Sequence, residues 1–180
     1  TGLGGVELYG KTLGVIGTGR IGRHSIRIGA GFGMAVLAYD VVPDDALAAE
    51  IGFQYRPLDE VLANADFLTL HVPLIEETRH LIDAEALAGV KPGAILVNTS
   101  RGGVVDTQAL KDALASGRLR GAGLDVLEDE RTAYHDFGQA NVVVTPHLGW
   151  YTEEARDRIL EIALRNVRAW MVGNPVHRVA

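Results

Sequence analysis

Apolar residues along this 180-residue chain fall into two kinds of segment that alternate. Short runs such as Ile95-Leu96-Val97 and Val142-Val143-Val144 are apolar at consecutive positions, the pattern of strands covered on both faces. Longer stretches with apolar residues at helical spacing separate them. Read in order, the pattern predicts strands at residues 12–16, 35–39, 53–55, 67–70, 94–97, 121–126 and 142–145. Helices are predicted at 21–32, 43–51, 57–64, 83–88, 106–116 and 152–172. Gly33 sits where the first helix should stop, and Glu153 and Glu154 occupy the first turn of the last helix, where the dipole favours acids. Gly29 and Gly31 weaken the first helix, so close packing against the sheet is the expected compensation. Alternation of helices with doubly buried strands predicts an α/β fold built on a doubly wound parallel sheet.

Bulk properties narrow the function classes. A chain of 180 residues supports one good-sized core, and its net charge of -6 argues against a nucleic-acid partner. The longest apolar run, residues 28–39, is broken by three glycines and falls short of the roughly 20 residues a membrane span needs. The chain contains no cysteine, which excludes disulfides and thiolate chemistry and fits a cytoplasmic location. Its six histidines are dispersed without metal-ligand spacing, so no metal site is expected. The stripe Ile159, Ile162, Ala163, Asn166, Trp170 on the last helix reads as core or inter-domain packing rather than a membrane surface.

Gly17-Thr18-Gly19-Arg20-Ile21-Gly22 matches G-x-G-x-x-G between a strand and a helix. Gly17 permits the tight turn, Gly19 lets a pyrophosphate approach the backbone, and Gly22 lets helix and strand pack closely. The helix start then offers free N–H groups to phosphate. Such a hexapeptide alone is a weak signal. Asp40 strengthens it, ending the next strand 18 residues after Gly22, near the spacing expected of a ribose-binding acid. A carboxylate there accepts the ribose hydroxyls and repels a 2′-phosphate. Val41, Val42 and Pro43 bring no cation to welcome that phosphate, which favours NAD over NADP. The expected domain is an NAD-binding Rossmann fold spanning residues 1–180, with its core at 12–150.

Three further segments follow predicted strands, at the sheet edge where ligands bind. Asn98 to Asp106 sets Arg101 in a Gly-rich loop, suited to clamping a carboxylate through two parallel bonds. Leu124-Asp125-Val126 ends a strand, with Glu128, Asp129 and Glu130 just beyond. Thr145-Pro146-His147-Leu148-Gly149 follows the last strand. A histidine and a carboxylate brought to one edge form a proton-transfer pair.

Together with Glu7 to Gly14 and His71-Val72-Pro73-Leu74, these segments resemble the D-isomer-specific 2-hydroxyacid dehydrogenase family, in family order over nearly the whole chain. The resemblance implies hydride transfer between NAD(H) and a 2-oxo or 2-hydroxy acid. It makes Arg101 the carboxylate clamp, His147 the acid/base and Glu130 its catalytic acid partner. It places Arg20 and Ile21 on the pyrophosphate and His71 and Pro73 beside the adenosine half. Thr99, Ser100, Arg101, Asp125, His147 and Gly149 border the rest of the cofactor. One departure stands out: Arg131 replaces the proline that commonly follows the glutamate, so Glu128 and Asp129 stay open as alternative partners of His147.

Relatives of this kind insert the cofactor domain into a second, substrate-binding domain, and no segment here is left to build one. The chain also starts at Thr1 rather than methionine. It is expected to be a fragment that binds NAD but turns over poorly, with residues 152–173 leading back to the missing domain. Other readings are a phosphite dehydrogenase and an NAD-sensing corepressor-like protein, both of which keep the Arg, Glu and His pattern. A homodimer paired through cofactor domains is the expected assembly.

Overall fold

The computed structural model describes residues 5–128, 137–138 and 140–177. The chain divides into two compact units, Thr1–Pro146 and His147–Ala180.

Among the described residues, the first unit holds seven strands: β1 (Thr12–Ile16), β2 (Ala35–Tyr39), β3 (Gln54–Tyr55), β4 (Phe67–Leu70), β5 (Ala94–Asn98), β6 (Leu119–Leu124) and β7 (Val142–Val144). Five helices alternate with them: α1 (Arg20–Gly31), α2 (Asp45–Ile51), α3 (Leu58–Asn64), α4 (Ala84–Gly89) and α5 (Thr107–Ala115). The strands form one sheet in the order β3-β2-β1-β4-β5-β6-β7, with every pair parallel. The order reverses direction between β1 and β4, so a crevice opens there at the carboxyl ends of the strands. This is the doubly wound architecture that the apolar pattern predicts, except that β7, expected to be covered on both faces, is the sheet's edge strand and leaves Val143 and Val144 exposed.

Neighbouring residues of β1 feed two cores. Val15 packs with Ile26, Val36, Leu47 and Phe53 under α1 and α2. Ile16 joins the larger cluster, where Val61, Leu68, Leu96 and Leu110 pack with α3, α4 and α5. Side chains alternate across a strand, which explains the split.

Side-chain caps start several helices. Asp44, Asp83 and Asp106 each accept a backbone N–H in the first turn of α2, α4 and α5. In α1, Gly29 packs as expected, since a β-carbon there would stand 2.5 Å from Leu13 Cδ2. Gly31 does not: nothing lies within 4 Å of the same position, so sheet packing does not account for it. Gly33 follows the α1 C-cap in the left-handed region, φ +72°. Strand β6 starts two residues before its predicted position because the register shifts against Ala94 and Ile95, which makes Arg120 the extra residue of a bulge.

The second unit is built on α6 (Glu153–Met171), opened by Thr152, whose hydroxyl accepts the Ala155 N–H. No helix among the described residues is long and apolar enough to cross a membrane.

Candidate active site

The carboxyl end of β1 runs into the glycine turn. Gly17 adopts φ +93°, and a β-carbon there would lie 2.8 Å from the backbone C and O of His71. At Gly22 it would lie 2.0 Å from the Gly17 carbonyl oxygen, a distance no side chain tolerates. Gly19 faces open space, with nothing within 4 Å of its β-carbon position. Two glycines are thus required by the protein's own packing, and the third borders room for a ligand. No side chain caps the start of α1 and its first turn carries no acid, so its N–H groups point at that room.

Asp40 stands at the end of β2. Its Oδ2 accepts the Thr18 N–H at 2.6 Å and the Thr18 hydroxyl at 2.9 Å, while Oδ1 accepts the Val42 N–H at 3.0 Å. Burial pushes this carboxyl up, but the bonds from Thr18, Val42 and Val41 outweigh it and hold the group below its usual range. Asp40 is therefore a fixed anion. His71, at the end of β4, is half-buried beside the crevice. Burial pushes its imidazole down, favouring the neutral ring, and its Nε2 lies 3.1 Å from the Thr69 hydroxyl. Pro73 is exposed just beyond.

On the other side of the crevice, β5 ends in a turn organised by Asn98, which is 1% exposed. Its Oδ1 accepts both the N–H and the hydroxyl of Ser100, and its Nδ2 donates to the Arg101 carbonyl. Arg101 is exposed, with one guanidinium nitrogen donating to the Ser100 carbonyl at 2.6 Å. Thr99 is exposed and Ser100 half-buried. The next strand is laced to this turn. The Asp125 N–H donates to the Asn98 carbonyl at 2.9 Å, and buried Asp125 accepts the Thr145 hydroxyl through Oδ1.

Residues 1–149 match the family described as D-isomer specific 2-hydroxyacid dehydrogenase, NAD binding domain. The chain belongs to that family, as its NAD-binding domain. It is 48% identical over 170 residues to the glyoxylate reductase of Pyrococcus furiosus, covering 94% of this chain and 51% of that one. To the D-3-phosphoglycerate dehydrogenase of Mycobacterium bovis it is 49% identical, covering 94% of this chain and 32% of the other. The solved D-lactate dehydrogenase of Aquifex aeolicus, complexed with NAD and lactic acid, superimposes with a TM-score of 0.87 at 40% identity, over 97% of this chain and 60% of that chain. The chain thus spans from about a third to somewhat over half of these proteins.

This NAD-binding domain has the features the dinucleotide needs: open space over Gly19, an uncapped helix start and an ionised acid at the end of β2. Within the first unit, the carboxyl edge carries the glycine turn, Asp40, His71, Pro73, Thr99, Ser100, Arg101 and Asp125. Arg20 and Ile21 are exposed at the start of α1. His147 and Gly149 lie in the second unit, where His147 adopts φ +56°, a left-handed conformation uncommon outside glycine. Glu130, Asp129 and Arg131 fall outside the described residues.

Glu128, left open as a partner of His147, is held by other groups. Its Oε1 lies 2.8 Å from His80 Nε2 and 3.4 Å from Arg79, and its Oε2 accepts the Thr107 hydroxyl at 3.2 Å. Burial pushes this carboxyl up. The His80 bond and charge, Thr107 and Arg79 more than reverse that and hold it below the usual range. Beneath this cluster, a β-carbon on Gly102 would stand 2.0 Å from the Leu127 C and O and 2.4 Å from the Glu128 nitrogen. The arginine loop and the start of the acid loop therefore cross in backbone contact. His80 and Glu128 lie 48 residues apart, so no local motif signals their pairing.

Proposed function

We propose that this domain serves an enzyme transferring hydride between NAD(H) and a D-2-hydroxy acid/2-oxo acid pair. The observation that carries the reading is the placement of Arg101. It is exposed on a turn locked by buried Asn98, two strands from the glycine turn along the order β1-β4-β5. A guanidinium held there offers a planar fork to a substrate carboxylate and polarises the neighbouring carbonyl. The names of the relatives, a glyoxylate reductase and a D-lactate dehydrogenase, support small 2-oxo acids as substrates.

In this reading Gly17, Gly19, Gly22, Arg20 and Ile21 receive the pyrophosphate, and Asp40 takes the adenosine ribose. His71 and Pro73 flank the adenosine half, while Thr99, Ser100, Asp125 and Gly149 border the nicotinamide half. The cofactor supplies the hydride chemistry when bound. His147 gives a proton to the substrate oxygen during reduction and takes it back during oxidation, and Glu130 steadies the charged imidazole.

A second domain completes the substrate cleft, as supported by the large part of each relative lying beyond the matched region. Residues 152–173 lead toward it. We place the enzyme in the cytoplasm, to be checked by cell fractionation. Exposed Ile28 and Phe32 on α1 support pairing of two copies, which sedimentation of the chain checks.

Calorimetry of this chain tests the cofactor assignment: NADH should bind well and NADPH weakly, and Asp40→Ala should erase the difference. Turnover of NADH with a panel of 2-oxo acids, in the protein carrying this domain, tests the rest. There Arg101→Met should lower kcat/KM about 100-fold, the worth of a charged hydrogen-bonding clamp. Unchanged kcat/KM in that variant would remove Arg101 from the substrate site.

A further inference from the structure

Thr18, the variable second position of the glycine hexapeptide, is 3% exposed and points away from the open side of the turn, toward Asp40. Its hydroxyl lies 2.9 Å from Asp40 Oδ2 and 2.9 Å from the Tyr55 hydroxyl. Hydrogen counting sets the direction of both bonds. An ionised carboxylate only accepts, so Thr18 spends its one hydroxyl hydrogen on Asp40, and Tyr55 donates to Thr18. The chain of donors runs Tyr55 to Thr18 to Asp40, from edge strand β3 to the turn after β1 and back to the end of β2.

Tyr55 is well anchored for this task. It pairs with Ala38 in the β2–β3 register, and its ring meets buried Phe53 edge-on, with centroids 5.0 Å apart. One nearby cation is already committed, since Arg23 donates to the Thr18 carbonyl at 3.1 Å and pairs with Asp44 at 3.0 Å. Nothing in this arrangement spares that arginine for a 2′-phosphate.

We propose that the Thr18 and Tyr55 hydroxyls form a relay that aims the Asp40 carboxylate at the adenosine ribose and so sharpens the preference for NADH over NADPH. The relay rests on the assignment of Asp40 to that ribose. With Thr18 bound to Oδ2, the carboxylate cannot rotate its charge out of the space a 2′-phosphate needs. Released from the hydroxyl, it retains the backbone bonds from Thr18, Val41 and Val42 but loses one of the two donors that fix Oδ2, and so gains freedom to turn. Thr18 and Tyr55 are thus positioning residues that act through Asp40.

Calorimetric titration of this chain with NADH and with NADPH, in a set of variants, tests the proposal. Thr18→Val and Tyr55→Phe should each raise the NADH Kd about 3- to 10-fold and move the NADPH Kd less than twofold, the scale of one weakened charge-assisted bond. Thr18→Ser, which keeps the hydroxyl, should retain the wild-type ratio. In an Asp40→Ala background, Tyr55→Phe should change neither affinity, an outcome that a general loosening of the fold would not produce. The relay is overturned if Thr18→Val and Tyr55→Phe leave the NADH/NADPH ratio within twofold of wild type while Asp40→Ala erases it. If Asp40→Ala itself preserves the ratio, the ribose assignment fails and takes the relay with it. Thermal unfolding of each variant confirms that a changed ratio comes from folded protein.

Discussion

On the β1–β2 side of the sheet, the ligand-facing edge is held mainly by backbone. Gly17 sits against the His71 peptide, Gly22 against the Gly17 carbonyl, and Asp40 takes most of its bonds from the backbone N–H groups of Thr18, Val41 and Val42. On the β5–β6 side, side chains do more of the holding. Asn98 shapes the Arg101 turn, Asp125 ties to Thr145, and Glu128 gathers Arg79, His80 and Thr107. A pyrophosphate is the same in every dinucleotide, so a backbone cradle suffices for it. The side-chain scaffold around Arg101, by contrast, can be adjusted one residue at a time.

The contrast breaks most sharply at Gly102, where the loops after β5 and β6 meet backbone to backbone with no room for a side chain. Gly102→Ala forces a β-carbon to 2.0 Å from Leu127. The expected loss is about 3 kcal/mol, or roughly 6–12 °C in Tm for a chain of this size. Calorimetric scanning measures it. The NADH/NADPH ratio should stay at its wild-type value, because Asp40 and the glycine turn are untouched. A lost preference would mean that the two halves are not separable.

A smaller effect is expected from Glu128→Gln, about 1–2 kcal/mol at neutral pH for a carboxylate bonded to His80 and Thr107. Its signature is in the pH dependence. The folded carboxyl titrates below its unfolded value, so its contribution is complete above the unfolded pKa of roughly 4.3 and disappears as pH falls through the folded value. Between neutrality and pH ~3.5 the wild type should therefore lose more stability than the variant. Parallel acid limbs in the two unfolding series would strip Glu128 of this role.

Least is expected from the exposed pair Arg27–Glu50, at 3.1 Å with side chains 45% and 64% exposed. Glu50→Ala should cost under about 0.5 kcal/mol. A larger loss would mean that the β1–β2 side depends on surface side chains after all.

Much of this was legible in the sequence, and the reason is range. Strand periodicity, the glycine spacing, the stop at Gly33 and the acids opening α6 are local, and each can be read within a few residues. Asp40 is the longest reach that a known spacing covers. Beyond it, side-chain pairing depends on how the sheet is wound. Tyr55 reaches Thr18 only because β3 pairs with β2, and Glu128 reaches His80 only because the loops after β5 and β6 cross. The Arg120 bulge escaped for the same reason, since it is a mismatch between two strands. Gly31 is the opposite case, a local expectation of sheet packing that the fold does not fulfil.

The strand order has a consequence for the chain as it is made. Of these strands, synthesis delivers β1 before β2 and β3, so the glycine-turn flank can assemble from residues 12–55 while β4 is still unmade. Until Phe67–Leu70 emerges, Leu13 to Ile16 have no neighbour on that side, and the nascent domain shows a bare apolar strand. Unpaired edges of this kind invite aggregation and chaperone capture. The middle of the finished sheet is, during translation, its border.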